Sequence, residues 1–143
     1  GATHLIKVAV EAATGKRDHV AIFGTDYDTP DGTGVRDYIH VWDLVRAHVL
    51  ALEKLIAEPE ESFTLNCGYG RGFSVLEVLD AVDRATNRTI DRRKAPRRAG
   101  DPGMIVSDNA KILKTLPWRP EHDDLDTIVG DALAWERKLQ ERG

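Results

Sequence analysis

The chain has 143 residues, of which 41% are hydrophobic and 31% are charged, a composition typical of a folded globular domain. Its formal net charge of −4 argues against a dedicated nucleic-acid-binding domain, which usually carries a strongly basic surface. One cysteine excludes an internal disulfide framework, and no apolar run is long enough to span a membrane. No basic-then-apolar signal opens the chain, so we expect a cytoplasmic protein. The start without an initiator Met, directly before a helix-like pattern, favours a processed chain or a piece of a longer protein.

The first predicted elements are a helix and a strand that lead into a long polar loop. Thr3 is placed to cap the helix, the apolar residues from Leu5 to Ala13 follow helical spacing, and Gly15 is suited to end it. The run Val20–Phe23 predicts a short strand. Residues 24–37 form a loop that contains three glycines, and loops of this length are uncommon unless they have a function.

This loop admits three interpretations. Its aspartates could bind calcium, but the alternation and the glycine position of an EF-hand are missing. It could also be a mobile acidic loop. We favour a binding site, because Arg36, Asp37 and Tyr38 run directly into an extended apolar stretch, residues 38–41, that fixes their side chains near the core.

Helices and strands alternate further along the chain. Asp43 is expected to cap a helix that ends near Ala57, and residues 63–67 predict a second strand. Ser74 and Glu77 have the spacing of a capping box at the start of a third helix.

The last third of the chain continues the pattern. A weak third strand is expected at residues 89–91, and Asp108 and Asp124 are placed to cap the last two helices. Trp118 stands between two prolines and is expected to pack as a plug. Strands separated by helices predict an α/β fold.

Two clusters could carry chemistry. The run GYGRG at 68–72 partly matches a dinucleotide-binding turn, but Phe73 stands where the third glycine is required. A tight strand-to-helix turn, or a loop lining a ligand bound elsewhere, is therefore favoured over NAD binding. The basic run 92–98 could be a solvated face, a nucleic-acid patch or a phosphate clamp, and we favour a clamp of one or two arginines. The histidine spacing predicts no metal site, and Cys67 is expected to be a buried, inert thiol.

Three blocks resemble the UDP-glucose 4-epimerase family of the extended short-chain dehydrogenases. They are residues 22–41 (IFGTDYDTPDGTGVRDYIHV), 65–75 (LNCGYGRGFSV) and 95–102 (APRRAGDP), in the family's order and spacing. The resemblance extends over essentially the whole chain. It implies a small mixed sheet with flanking helices, the C-terminal substrate-binding lobe of a Rossmann-type enzyme, with residues 1–143 as the UDP-sugar-binding portion.

The resemblance also implies the site residues. Arg36 and Arg98 match the two arginines on the diphosphate, and Asp101 matches the acid on the ribose hydroxyls. Ala21 and Phe23 match the strand that meets the uracil. The remaining implied pocket positions are His4, Leu5, Tyr38, Val75 and, beside the hexose, Ile105.

The implied activity is that of an isomerase, which interconverts UDP-glucose and UDP-galactose by transient C4 oxidation with bound NAD. The family's N-terminal NAD-binding domain and its Tyr-x-x-x-Lys pair have no counterpart here. We therefore expect no catalytic or cofactor-binding residue in this chain, no activity of the chain alone, and a complete parent enzyme that is a homodimer. Two alternatives stay open: another nucleotide-sugar epimerase or dehydratase of the superfamily, and a stand-alone UDP-sugar-binding module. No nucleic-acid, membrane or metal partner is expected.

Overall fold

Five helices and five short strands make up residues 3–142, the part of the chain that the computed structural model describes. The helices are α1 (Leu5–Ala13), α2 (Val41–Ala57), α3 (Val75–Thr86), α4 (Ala110–Thr115) and α5 (Leu125–Gln140). The strands are β1 (Val20–Phe23), β2 (Val35–Arg36), β3 (Phe73–Ser74), β4 (Arg92–Ala95) and β5 (Met104–Ile105). None of the helices in this described part has the length and apolar character needed to cross a bilayer.

The strands form two small sheets, which confirms the predicted α/β fold of small sheets and flanking helices. β1 and β4 pair in parallel, with Val20 opposite Arg92. In the second, mixed sheet, β2 is central, antiparallel to β3 and parallel to β5. Each strand of the mixed sheet has only two residues, so the backbone ladder supplies few hydrogen bonds. Side chains must therefore help to hold the segments that flank these strands.

The larger apolar core lies between α1, α3, α5 and β1. Its fully or nearly fully buried members include Ala9, Val10, Val20, Ile22, Val78, Leu79, Val82, Val129 and Leu133. The local sequence defines the starts of α3 and α5 and the end of α1 as predicted. Ser74 and Glu77 form the capping box of α3, and the Asp124 side chain accepts a hydrogen bond from the Thr127 N–H at the start of α5. Gly15 follows α1 with a φ of +81°, a conformation that favours glycine.

A second, smaller core joins α2 to α4. It consists of Ala47, Ile112, Leu116 and Trp118. Trp118 is only 1% exposed, which confirms its predicted role as a plug. Its indole N–H donates a hydrogen bond of 2.9 Å to the backbone oxygen of Asp43 in α2.

The sequence predicts Asp43 as the cap of α2, and this prediction is wrong. Asp43 is buried in the first turn of the helix. The cap is His40, whose Nδ1 accepts the Trp42 N–H. The Asp43 carboxylate instead accepts hydrogen bonds from the Tyr69 hydroxyl at 2.6 Å and from the backbone N–H groups of Glu121 and His122 at 3.0 Å each. Asp43 thus joins α2 to two loops that are distant in the sequence.

Four other predictions, two of helix caps and two of strands, are wrong. α1 is preceded by His4, and no side chain caps it, so Thr3 does not have that role. Residues 63–67 form neither a helix nor a strand, and pair with no strand among residues 3–142. The strand expected at 89–91 begins at Arg92, where the charged residues of β4 conceal the usual apolar alternation. Asp108 accepts the Ala110 N–H, although the capping position of α4 is Asn109.

The Asp43 network predicts a specific dependence of stability on pH. Burial by itself would raise the pKa of the Asp43 carboxyl, but its hydrogen bonds outweigh burial and lower the pKa below the ordinary value of 3.8. The stabilisation is therefore complete above that ordinary value and is lost as the pH falls through the lower pKa of the folded state. We expect Asp43→Asn to reduce the free energy of unfolding at pH 7 by about 1–3 kcal/mol, and to show a shallower further loss towards pH 3 than the unmodified chain.

Chemical denaturation between pH 7 and pH 3 measures both effects. Asp126→Asn is the control, because Asp126 is exposed and pairs only with the exposed Arg84. An Asp43→Asn variant as stable as the unmodified chain, or with the same acid dependence, would contradict this account of Asp43.

Candidate functional site

A cavity of about 790 Å³ lies where α1, β1, β2 and the loop after β4 meet. It is lined by all but one of the residues that the sequence resemblance marks as site positions: His4, Leu5, Ala21, Phe23, Arg36, Tyr38, Val75, Arg98 and Asp101. Ile105 is the exception, since it lies on β5, is 52% exposed, and is outside the cavity lining. Residues from distant parts of the sequence are thus brought together, while their roles toward a ligand stay predictions.

Backbone carbonyl groups hold the Arg36 guanidinium in one orientation. Nη1 donates to the oxygen of Val35 at 2.7 Å, and Nη2 donates to the oxygen of Pro102 at 2.8 Å. Nη2 also pairs with the carboxylate of Asp101. Because β2 fixes the backbone and these groups fix the side chain, Arg36 presents a pre-oriented positive charge at the cavity.

Arg98 is held in a different way from its neighbour Arg97. The Arg98 guanidinium carbon lies 3.9 Å from the centroid of the Phe23 ring, and both residues line the cavity. Arg97 instead points to Asp26, with Nε 2.7 Å from Oδ1, and stacks on Tyr27. An arginine on an aromatic ring keeps its N–H donors available for a ligand.

The other arginines of the basic run are also paired with acids. Arg92 contacts Asp80 and Asp83, and Arg93 contacts Asp91. From residues 92–98, only Arg98 lines the cavity. The favoured prediction of a clamp therefore reduces to one arginine from this run, which lines the same cavity as Arg36 from β2.

Tyr38 is a neutral side chain between these charges. Burial raises the pKa of Tyr38 to about 12, although nearby Arg36 opposes the shift. At neutral pH its hydroxyl can donate or accept a hydrogen bond, but it does not act as a base. The ring packs against the larger apolar core, which keeps Tyr38 in place beside Arg36.

Several lining residues were missed by the sequence analysis. They include Val8 in α1 and the segment Arg17, Asp18 and His19 before β1. Arg17 is oriented by Glu11, whose Oε2 lies 2.5 Å from the arginine Nε. Their place in the sequence could have indicated a role in the site, because residues 17–19 lead directly into the strand Val20–Phe23, which lines the cavity.

The glycine run at 68–72 does not fit a dinucleotide. The N–H groups of Tyr69 and Gly70, which a phosphate would need, already donate to the Asp37 carboxylate at 3.0 and 2.9 Å. A Cβ at Gly72 would lie 2.5 Å from a methyl carbon of Val35, so close packing accounts for this glycine. The run is a tight turn, and these residues offer no site for NAD.

Cys67, which precedes this run, has the properties of an unreactive thiol. It is half-buried, and burial, with the nearby acids Asp43 and Asp37, raises the pKa of its thiol. This agrees with the predicted inert role, although the side chain is less buried than expected.

An apolar surface lies on the exposed side of α2, next to the smaller core. Several large apolar side chains of α2 are exposed there: Val41, Trp42, Val45, Val49, Leu52, Leu55 and Ile56. Next to them, Phe63, Leu65 and Cys67 line a depression of about 190 Å³ together with α2 and α4. We call this surface, formed by α2 and residues 63–67, the α2 face. A patch of this extent is typical of an interaction surface.

Comparison with known proteins gives a consistent result. The model of the NAD dependent epimerase/dehydratase family matches residues 1–68. The UDP-glucose 4-epimerase of Azospirillum brasilense is 53% identical over 140 residues, which cover 98% of this chain and 40% of the relative. The chain thus spans about 40% of the length of the curated relatives that it matches.

Solved structures agree with the sequence matches. The UDP-Glc/GlcNAc 4-epimerase of Campylobacter jejuni has a TM-score of 0.85 and 49% identity, and covers 96% of this chain and 41% of its own. The UDP-glucose-4-epimerase of Stenotrophomonas maltophila, solved with NAD and formylated UDP-arabinopyranose, has a TM-score of 0.93 and 40% identity, and covers 99% and 42%. The chain is therefore similar to UDP-glucose 4-epimerases over nearly its whole length.

Proposed function

We propose that this chain is the C-terminal, substrate-binding portion of a UDP-glucose 4-epimerase and that its cavity binds a UDP-hexose. The observation that carries the proposal is the convergence of Arg36, Arg98 and Asp101 on one cavity. A diphosphate has about two negative charges, and each charge-assisted hydrogen bond from an arginine contributes about 1.5–3 kcal/mol. Asp101 can accept hydrogen bonds from the neighbouring hydroxyls of a ribose, which discriminates against ligands that lack them.

The cavity also offers a place for the base. Ala21 and Phe23 of β1 line it, and within residues 3–142 this strand pairs only with β4. The backbone N–H and C=O groups along its other edge can therefore pair with the imide edge of uracil. This arrangement supports a uridine nucleotide as the ligand, with the diphosphate directed to the two arginines.

We further propose that the redox step takes place on another part of the complete enzyme. Bound NAD would supply transient oxidation at C4 there, and a tyrosine of that part would take the proton from the 4-hydroxyl. The residues described here bind and orient the nucleotide end of the substrate, which lowers the entropic cost of the reaction. The exposed α2 face supports this division, because it offers an apolar surface and a shallow depression on which an NAD-binding domain can pack.

The proposal includes a cytoplasmic homodimer that acts in galactose metabolism, as the resemblance implies. One cysteine without a disulfide partner is compatible with a reducing compartment. The alternative activities differ in the sugar: the Campylobacter relative is described as acting on UDP-Glc and GlcNAc, and the Stenotrophomonas structure contains a UDP-pentose derivative. A panel of UDP-sugars assayed on the protein encoded by the complete gene separates these activities.

The two arginines provide the direct test of the binding site. In the protein encoded by the complete gene, Arg36→Ala and Arg98→Ala should each weaken UDP binding by about ten- to a hundredfold, since each removes charge-assisted hydrogen bonds to the diphosphate. Isothermal titration calorimetry measures this change. Arg84→Ala is the control, because Arg84 pairs with Asp126 on the exposed surface outside the cavity. Unchanged affinity in both cavity variants would refute the proposed site.

The proposed separation of substrate binding from the redox step gives a second test. The 143-residue polypeptide, supplied with NAD, should convert no UDP-glucose to UDP-galactose, whereas the protein encoded by the complete gene should do so. The physical reason is that residues 3–142 provide neither a dinucleotide site nor a positioned catalytic tyrosine–lysine pair. Turnover by the 143-residue polypeptide, measured in a coupled assay, would contradict the division.

A further inference from the structure

We propose that Asp37 is a positioning residue, which holds Arg36 and the segment after β5 in the arrangement that binds the substrate. The inference rests on the proposed UDP-sugar function but concerns a residue to which the resemblance assigned no role. Asp37 directly follows Arg36 at the end of β2 and is half-buried at the cavity.

Three backbone N–H groups converge on the Asp37 carboxylate. Oδ1 accepts from Tyr69 at 3.0 Å, and Oδ2 accepts from Gly70 at 2.9 Å and from Ser107 at 3.2 Å. Among residues 3–142, no lysine or arginine forms an ion pair with Asp37. Its charge is therefore stabilised by directional hydrogen bonds, which fix geometry more tightly than a flexible cation would.

These donors belong to the segments next to the two outer strands of the mixed sheet, β3 and β5. Tyr69 and Gly70 precede β3, whereas Ser107 follows β5, and these are the two strands that flank β2. Because each of the three strands has only two residues, the Asp37 carboxylate continues the sheet beyond the end of the backbone ladder. One side chain thus sets the distance between the two neighbouring segments.

Asp37, Gly68 and Ser107 meet at one junction, and the lack of space around Gly68 shows how closely they pack. A Cβ at Gly68 would lie 2.7 Å from Oδ2 of Asp37 and 2.6 Å from the Cβ of Ser107. Both distances are shorter than van der Waals contact, so the junction closes only around a glycine. The glycine that the sequence analysis assigned to a turn is needed here for close approach.

The junction affects the ligand through Arg36. The groups that orient its guanidinium, Asp101 and the oxygen of Pro102, lie just before β5, and Ser107 lies just after it. Residues 101–107 are therefore held at both ends. Asp37 holds Ser107 at one end, and Asp101 and Pro102 hold Arg36 at the other. Loss of the carboxylate would let this segment move away from β2 and would disturb the orientation of Arg36 toward a diphosphate.

Charge alone predicts the opposite result from positioning. Asp37 is an acid beside a cavity proposed to bind an anion, so its neutralisation by itself should strengthen binding of the diphosphate. If Asp37 positions Arg36, the same neutralisation should weaken binding. The sign of the effect separates the two roles.

The test is Asp37→Asn in the protein encoded by the complete gene, compared with Asp83→Asn. Asp83 also bonds a backbone N–H, that of Ile90 at 2.9 Å, and pairs with Arg92, but lies outside the cavity lining. We expect Asp37→Asn to raise the Kd for UDP and the KM for UDP-glucose about tenfold or more, through the loss of an oriented charge-assisted contact. The kcat should change little, because the lost contact serves binding rather than chemistry. Asp83→Asn should lower the Tm without changing the Kd.

Calorimetry with UDP is performed below the Tm of each variant. Unchanged or tighter UDP binding by Asp37→Asn, or an equal loss in Asp83→Asn, would overturn the inference. If Asp37→Asn does not fold, Gly68→Ala replaces it and is judged by the same criteria, since its Cβ displaces the carboxylate without removing it. Failure of the unmodified protein to bind UDP would instead refute the proposed function.

Discussion

The loops of this chain are held by backbone N–H groups that converge on two aspartates, Asp37 and Asp43. Neither carboxylate relies on a lysine or arginine among residues 3–142. The Asp43 carboxylate accepts hydrogen bonds from a loop before α5 and from the Tyr69 hydroxyl. The Asp37 carboxylate accepts hydrogen bonds from the segments next to the two strands that flank β2. Tyr69 contacts both, since its N–H donates to Asp37 and its hydroxyl donates to Asp43. The two-residue strands supply few hydrogen bonds, so the loops around them depend on these two acids, of which Asp37 lines the cavity.

The cavity uses this rigidity to present positive charge. Arg36 is oriented by backbone oxygens and Asp101, and Arg98 lies on the ring of Phe23, so each is held before a ligand arrives. Pre-orientation would reduce the entropy lost on binding, and it would let an overall acidic chain bind the proposed anionic ligand with few cations. The other arginines of the basic run are paired with acids and do not contribute to the cavity. Net charge was therefore a poor guide to the ligand, and local pairing is the better one.

Local signals in the sequence predicted β1, the capping box of α3, the cap of α5 and the burial of Trp118. Each depends on residues close together in the chain, where turn and capping chemistry decide the outcome. The misplaced cap of α2 has a different cause, because Asp43 has the right residue type for a cap but its donors come from residues 69, 121 and 122. Residues 63–67 show the same limit, since apolar alternation indicates an extended chain but cannot supply a neighbouring strand. The residue pattern alone also left open which arginine of the basic run lines the cavity. The resemblance named Arg98, and the fold sets Arg97 and Arg98 against different aromatic rings.

The resemblance marked the cavity residues more completely than the residue patterns did, because it combined positions that no spacing rule connects. It left out Asp37, which shapes the site without a predicted contact to the ligand. The central claim is that Arg36 and Arg98 together bind one diphosphate, and a crystal structure of the complete gene product with UDP tests it most directly. The account predicts both guanidinium groups within hydrogen-bond distance of the diphosphate oxygens, with uracil beside β1. A diphosphate bound away from both arginines, or UDP outside this cavity, would contradict it.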